Sequence, residues 1–183
     1  GKAALCTTLL GPHGKLAAFL ADHSLPTDRN PLQESDIYVP ILPQNPILDI
    51  TTCAESEAFQ TLAMQIVWSI TADPTIRVDF SIAGGRKTMS ACLALAAQCY
   101  ARPTDRMFHV LVHPRYEADP TFFYPTGEED DDTLITLAFL PFFRLRPFLP
   151  PHLLRSPEVP KTLLQSVNVP AQHHPQTVLS VDI

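Results

Sequence analysis

The chain has 183 residues, enough for one domain that buries a core without disulfide staples. Apolar residues make up 45%, which excludes wholesale disorder. A net charge of −6 argues against a nucleic-acid coat or a membrane-surface protein, which would be basic.

The composition is odd in one respect: 19 prolines against 6 glycines. That is about 10% proline, roughly twice ordinary usage, and without a Gly-X-Y repeat it is not collagen. Proline breaks helices and central strands, so its gaps locate regular structure. Residues 47–73 and 75–102 are proline-free and only Pro74 divides them. No apolar run approaches the length of a bilayer-spanning helix.

In chain order, the first residues do not read as a signal peptide, because Thr7, Thr8 and Gly11 interrupt the apolar stretch. Residues 1–20 read as helix, with Leu16 to Leu20 leading to an end near His23. Asp36-Ile37-Tyr38-Val39 predicts a short strand. Thr52 and Glu55 form a capping-box pattern, and Phe59, Leu62, Ala63, Ile66, Val67 and Ile70 recur at helical spacing. A helix is therefore expected over 52–71, stopped by Asp73-Pro74. Ile76 to Ile82 is β-branched and alternating, which predicts a strand. Gly84-Gly85 follows, and Met89, Cys92, Leu93, Ala96 and Ala97 predict a second helix. Met107 to Val112 and Leu134 to Phe143 read as strands, the latter at an edge because of Pro141. Helix, strand, helix, strand in succession argues for an α/β fold with parallel crossovers. Residues 141–175 read as surface loop and short helix, and Val178 to Val181 as a terminal strand.

Cys6, Cys53, Cys92 and Cys99 show no CxxC spacing, and Cys92 and Cys99 stand two helical turns apart. Buried, reduced thiols in a cytoplasmic protein are expected. The run Glu128 to Asp132 lacks the spacing of a calcium loop and reads as a solvated loop.

The segment Ser81-Ile82-Ala83-Gly84-Gly85-Arg86-Lys87-Thr88-Met89-Ser90 carries the chemistry. It lies where a strand turns into a helix. Unpaired N–H groups and the helix dipole make such an end attractive to anions, and glycines let a ligand approach the backbone. Arg86 and Lys87 would oppose the dipole unless an anion compensates them. Thr88 and Ser90 could add hydroxyl donors. The alternative is a tight turn whose cations pair with nearby carboxylates. The segment is neither a Walker A loop nor a dinucleotide fingerprint, since the required glycines are missing.

SIAGGRKTMS, DRMFHVLVHPRYE, FFYP at 122–125 and LAFLPFFRLRP at 137–147 resemble the CRISPR-associated Rossmann fold (CARF) proteins, in particular their stand-alone ring-nuclease branch. The likeness covers roughly residues 36–147. It implies a Rossmann-like fold with a mainly parallel sheet flanked by helices, a single domain over 1–183 with a proline-rich C-terminal portion from 148, and a homodimer. It implies binding of cyclic oligoadenylate, with cyclic tetra-adenylate expected, across the dimer at the carboxyl ends of the strands. Cleavage would need no metal or other cofactor and would leave a 2′,3′-cyclic phosphate, switching off type III CRISPR signalling. Neither DNA nor a membrane is an expected partner. Lys87 and Arg86 would be the catalytic residues. Ser81, Gly84, Gly85, Arg86, Lys87, Thr88 and His113 would bind the ligand. The opening strand of the family and its Ser/Thr- or Gly-bearing loop have no match in residues 1–20, so the first βαβ unit is expected to be missing.

Two other readings are compatible with the residues: a CARF sensor that binds the ring without opening it, and an unrelated Rossmann-like enzyme for a phosphorylated metabolite. Arg102 with His109, and Arg146 with His152, fit the loose Arg–His spacing of HEPN ribonucleases, but a strand is the wrong setting for the first pair. His109 reads as a core residue. His113, at the carboxyl end of its strand, reads as a candidate for the ligand site. His173-His174 reads as a solvated pair.

Overall fold

A computed structural model describes residues 2–26, 32–43, 45–125 and 134–157. The acidic run at 128–132, His173-His174 and the expected strand at 178–181 lie outside these residues. A short helix α1 (Lys2–Leu5) passes into a π-helical turn (Cys6–Leu10), and α2 (Lys15–Asp22) ends with His23 as its C-cap. The paired strands β1 (Ile41–Leu42) and β2 (Asn45–Pro46) follow. Then come α3 (Cys53–Ile70), β3 (Asp79–Ser81), α4 (Lys87–Tyr100), β4 (Arg106–Val112), α5 (Pro114–Glu117) and β5 (Ile135–Leu140). Two 3-10 turns, Arg146–Phe148 and Leu153–Arg155, finish the described chain.

α3 starts where its capping box predicts. The Thr52 hydroxyl accepts the Glu55 N–H, and the Glu55 carboxylate accepts the N–H groups of Thr51 and Thr52, both at 2.8 Å. These bonds hold the Glu55 carboxyl down at about 2. Ala63, Met64 and Val67 then bury one face of the helix.

The three-stranded sheet has the order β3-β4-β5. β3 and β4 run parallel, whereas β4 and β5 run antiparallel, from Met107 opposite Leu140 to Val112 opposite Ile135. The expected mainly parallel sheet is thus corrected to a small open mixed sheet in an α/β fold. A parallel partner needs a crossover helix. α4 supplies one between β3 and β4, but the only helix among the described residues between β4 and β5 is the four-residue α5. The parallel ladder uses the Val78 carbonyl and the Ile82 N–H toward β4. The main-chain groups of Asp79 and Ser81 therefore point to the other edge of β3, which no strand pairs among the described residues.

β3 is shorter than the sequence suggests because a buried carboxylate captures the backbone ahead of it. Asp105 has no exposed surface. It accepts the Val78 N–H at 3.0 Å and the Arg102 N–H at 2.7 Å, and it pairs with the Arg102 guanidinium at 3.0 Å. Arg102 in turn donates to the Ile76 carbonyl at 2.7 Å. A second expectation also fails: Asp36 to Val39 is not a strand. Asp36 instead closes a 3-10 turn, Glu34–Asp36, by accepting the Gln33 N–H at 2.8 Å.

The core lies between one face of the sheet and the pair α3 and α4. Phe80 and Met107 from the strands meet Met64, Val67, Ala96, Ala97 and Tyr100 from the helices. The proline-rich stretch is more than a surface loop: Phe142, Leu149, Leu153 and Leu154 pack against this core. Arg144 donates to the Asp105 carbonyl at 2.7 Å, Arg146 to the Tyr100 carbonyl at 2.7 Å, and the Trp68 indole to the Leu154 carbonyl at 2.9 Å. FFYP at 122–125 holds α2: the Tyr124 hydroxyl donates to Asp22 at 2.8 Å, and the Phe19 and Tyr124 rings meet edge-on. Cys99 is buried as expected, and burial pushes its thiol up to about 11. Cys53 departs from the expectation: it opens α3 in an exposed position.

Two outcomes follow from the carboxylates. Asp105→Ala removes the acceptor from a buried ion pair and from two amides, and it should cost about 3–5 kcal/mol in urea unfolding. Burial by itself would raise the Asp105 carboxyl, but the Arg102 guanidinium and the amides of Arg102 and Val78 outweigh that and hold it below its ordinary range. Asp49, Glu55, Asp73, Asp79 and Asp119 are lowered too. A carboxyl lowered in the folded state stabilises the fold above its unfolded value of about 4 and loses that contribution as pH falls through the folded value. Thermal unfolding should therefore show a melting temperature that is flat toward neutral pH and drops steeply below about pH 4.

Candidate functional site

The turn between β3 and α4 is built by two adjacent glycines with left-handed backbone, Gly84 at φ 83° and Gly85 at φ 74°. Glycine enters that region without the Cβ strain that other residues incur. α4 then begins at Lys87, with Arg86 in the N-cap position and no side-chain cap. The Ser90 hydroxyl donates to the Ile82 carbonyl at 3.0 Å and fastens the first turn of the helix to the end of the strand. Its hydroxyl is thus turned to the protein and is not the ligand donor that the sequence suggests. Ser81 Oγ accepts the Ala83 N–H at 3.4 Å.

The two cations of the turn behave differently. Arg86 forms a two-pronged ion pair with Asp49: Nε donates to one carboxylate oxygen at 2.6 Å and Nη2 to the other. The Arg86 guanidinium, with help from the Ile50 N–H, holds the Asp49 carboxyl down at about 2. For Arg86 the carboxylate-pairing alternative is the observed one. Lys87 is exposed at the first position of α4 and has no ion-pair or hydrogen-bond partner for its side chain among the described residues. Thr88, next along the helix, is also exposed. The turn thus presents an ammonium, a hydroxyl and the amides of Lys87 and Thr88, whereas the Met89 N–H is taken by the Arg86 carbonyl at 2.8 Å.

Ser81, Gly84, Gly85, Arg86, Lys87 and Thr88 are brought together here. His113 is not. It follows β4 five residues beyond Phe108, which is the β4 partner of Ser81, and so stands roughly 16 Å further along the strand direction. There its Nδ1 accepts the Arg115 N–H at 3.2 Å and caps α5. Beside the turn a cleft of about 320 Å³ runs between α3 and α4, with Tyr38, Phe59, Ile66, Ile82 and Leu93 among its walls. Asp49 is the residue that sequence reasoning missed. It is 37 positions from Arg86, and no local pattern marks the pairing.

Among the described residues, no group of three or more His, Cys, Asp or Glu could hold a metal ion. No helix among them is long and apolar enough to cross a membrane. The family model described as CRISPR-associated protein NE0113 matches residues 17–171, most of the chain and all of the turn. The chain belongs to this CRISPR-associated family. No curated protein matches it.

The backbone of the turn can be tested directly. A Cβ on Gly84 would meet nothing within 4 Å, so Gly84→Ala should cost only its left-handed conformation, about 1–2 kcal/mol by urea unfolding. A Cβ on Gly85 would also meet Met89 Sδ at 3.0 Å, so Gly85→Ala should cost more, with the excess removed by Met89→Ala in a double-mutant cycle.

Proposed function

We propose that this member of the NE0113 family is a ring nuclease that binds cyclic oligoadenylate, with cyclic tetra-adenylate as the first candidate, and opens it to end type III CRISPR signalling. One observation carries the reading. A glycine-glycine turn at the end of a parallel strand presents Lys87, without a counter-ion among the described residues, at the first position of a 14-residue helix. Such an arrangement suits a phosphodiester. The CRISPR association of the family supports this reading, and the sequence likeness to the ring-nuclease branch is the reason for preferring a cyclic ligand among phosphodiesters.

On this reading the attacking group is the 2′-hydroxyl of the substrate itself. The 2′-oxygen forms its bond to phosphorus as the bond to the 5′-oxygen breaks, leaving a 2′,3′-cyclic phosphate and a 5′-hydroxyl. The proton of the 2′-hydroxyl ends on the 5′-oxygen. Lys87 and the first amides of α4 stabilise the charge that builds on the phosphoryl oxygens. The protein holds the 2′-oxygen in line with the leaving group. Two copies of the turn facing one ring would make the working unit a homodimer.

Incubating the protein with cyclic tetra-adenylate in EDTA should yield linear products, and Lys87→Ala should slow their appearance by about 10²-fold without lowering the melting temperature. An intact ring after long incubation with excess enzyme would overturn cleavage. The sensor reading has one observation in its favour. Residues 81–90 contain no carboxylate or histidine, and Asp49, which reaches the turn from outside it, is already committed to Arg86. Tight binding of the ring with no turnover would decide for it.

A further inference from the structure

We infer that Asp49 is a positioning residue for Arg86, holding its guanidinium side-on so that the adjoining Nη1–Nη2 edge faces a phosphate of the ligand. The inference rests on the ring-ligand reading and names a residue that reading lacks. A guanidinium carries five N–H groups in a rigid plane. Asp49 occupies one edge of that plane, through Nε and Nη2. Three N–H groups remain, two on Nη1 and one on Nη2, with their directions set by the occupied edge. They suit a second two-pronged contact, this time with a phosphate.

Both partners are held in place. The Asp49 carboxylate also accepts the Ile50 N–H at 2.8 Å, which fixes it to its own backbone. Two residues before it, Ile47 is buried, and its N–H donates to the Pro40 carbonyl at 3.0 Å. Two residues after it, Thr51 enters the hydrogen-bond cluster around Glu55 that starts α3. Arg86 is the N-cap of α4 and follows the two left-handed glycines. The ion pair therefore joins two anchored segments across the mouth of the turn.

A role in stability does not explain the pair. The two side chains are 54% and 52% exposed, and ion pairs in solvent add little to folding. Nor does the pair neutralise the turn, because Lys87 stays uncompensated among the described residues. What the pair does supply is orientation. An unpaired arginine on a surface samples many rotamers and loses that freedom on binding. Arg86 has already lost it.

The test uses the full chain and two probes. In calorimetry with cyclic tetra-adenylate, Asp49→Asn should weaken binding about tenfold, and Asp49→Glu should recover most of the loss. Arg86→Ala and the double variant Arg86→Ala/Asp49→Asn should bind within about twofold of each other, because Asp49 acts through Arg86. Melting temperatures should fall only slightly, as for an ion pair in solvent. Asn binding as tightly as wild type, or tighter, would overturn the inference, since the carboxylate would then merely compete with the ligand. So would a double variant that loses both effects in full. Failure of the wild type to bind the ring would overturn the ring reading instead. The orientation is then judged with inorganic pyrophosphate, by following the Arg86 Nε–H resonance of ¹⁵N-labelled protein. Pyrophosphate should shift it in the wild type and less so in Asp49→Asn. No shift in the wild type, or an equal shift in both, would count against the inference.

Discussion

The carboxylate of Asp105 is the contact on which the rest of the fold depends. It is wholly buried, and it ties the start of β3, the turn after α4 and the start of β4 into one knot. Burying a charge is costly unless its partners are complete. Here Arg102 and two amides complete them, and Arg144 closes over the same turn by donating to the main-chain carbonyls of Arg102 and Asp105. The knot sits at the amino end of β3, and the glycine turn sits at the carboxyl end, three residues of strand away. By fixing one end of a very short strand, Asp105 sets where the other end delivers Gly84, Gly85 and the start of α4.

At that other end the electrostatics run against the usual rule. Helix starts favour acids, and α4 has none in its first turn. α3 follows the rule, with Glu55 satisfying the amides ahead of it. The two helices pack side by side in one layer, so the contrast is between neighbours in the same core. One helix start is capped by its own side chains, which take the amides of Thr51, Thr52 and Glu55. The other is left with a lysine in its first turn, and the carboxylate that reaches it, Asp49, is spent on Arg86. That asymmetry follows from residue choice rather than from the fold, which is why the turn is read as a site.

What was legible in the sequence was local. The capping box of Thr52 and Glu55, the helical spacing through Ile70 and the glycine pair are each contained within a few turns of chain, and the structure has them in place. What was not legible was pairing at a distance. Asp105 shortens β3 by taking a backbone amide 27 residues away. Asp49 reaches Arg86 across 37. The antiparallel return of β5 depends on a connection whose length says little about strand direction. The strand expected at Asp36 to Val39 fails because alternation cannot show whether a partner strand is nearby, whereas the Asp36 side chain finds a local N–H at once. His113 does lie at the carboxyl end of a strand, as the general rule for ligand sites requires. The rule does not say how far β4 outruns β3.

The cleft and the turn also differ in what they can recognise. The cleft is walled mostly by apolar side chains and meets β3 at its carboxyl end, through Ser81 and Ile82. Apolar walls contribute area but cannot orient a phosphate, and they leave any buried charge unpaired. The turn lines one end of this cleft through Ser81, Gly84 and Ser90, and adds beside it the exposed Lys87 ammonium and Thr88 hydroxyl. On the proposed reading, a phosphodiester would therefore suit the turn better than the cleft. Recognition of anything larger than one phosphate needs a second set of polar groups, which the described residues around this turn do not supply. A ligand that carries several equivalent phosphates, met by two copies of one turn, satisfies that requirement with a single short segment of sequence.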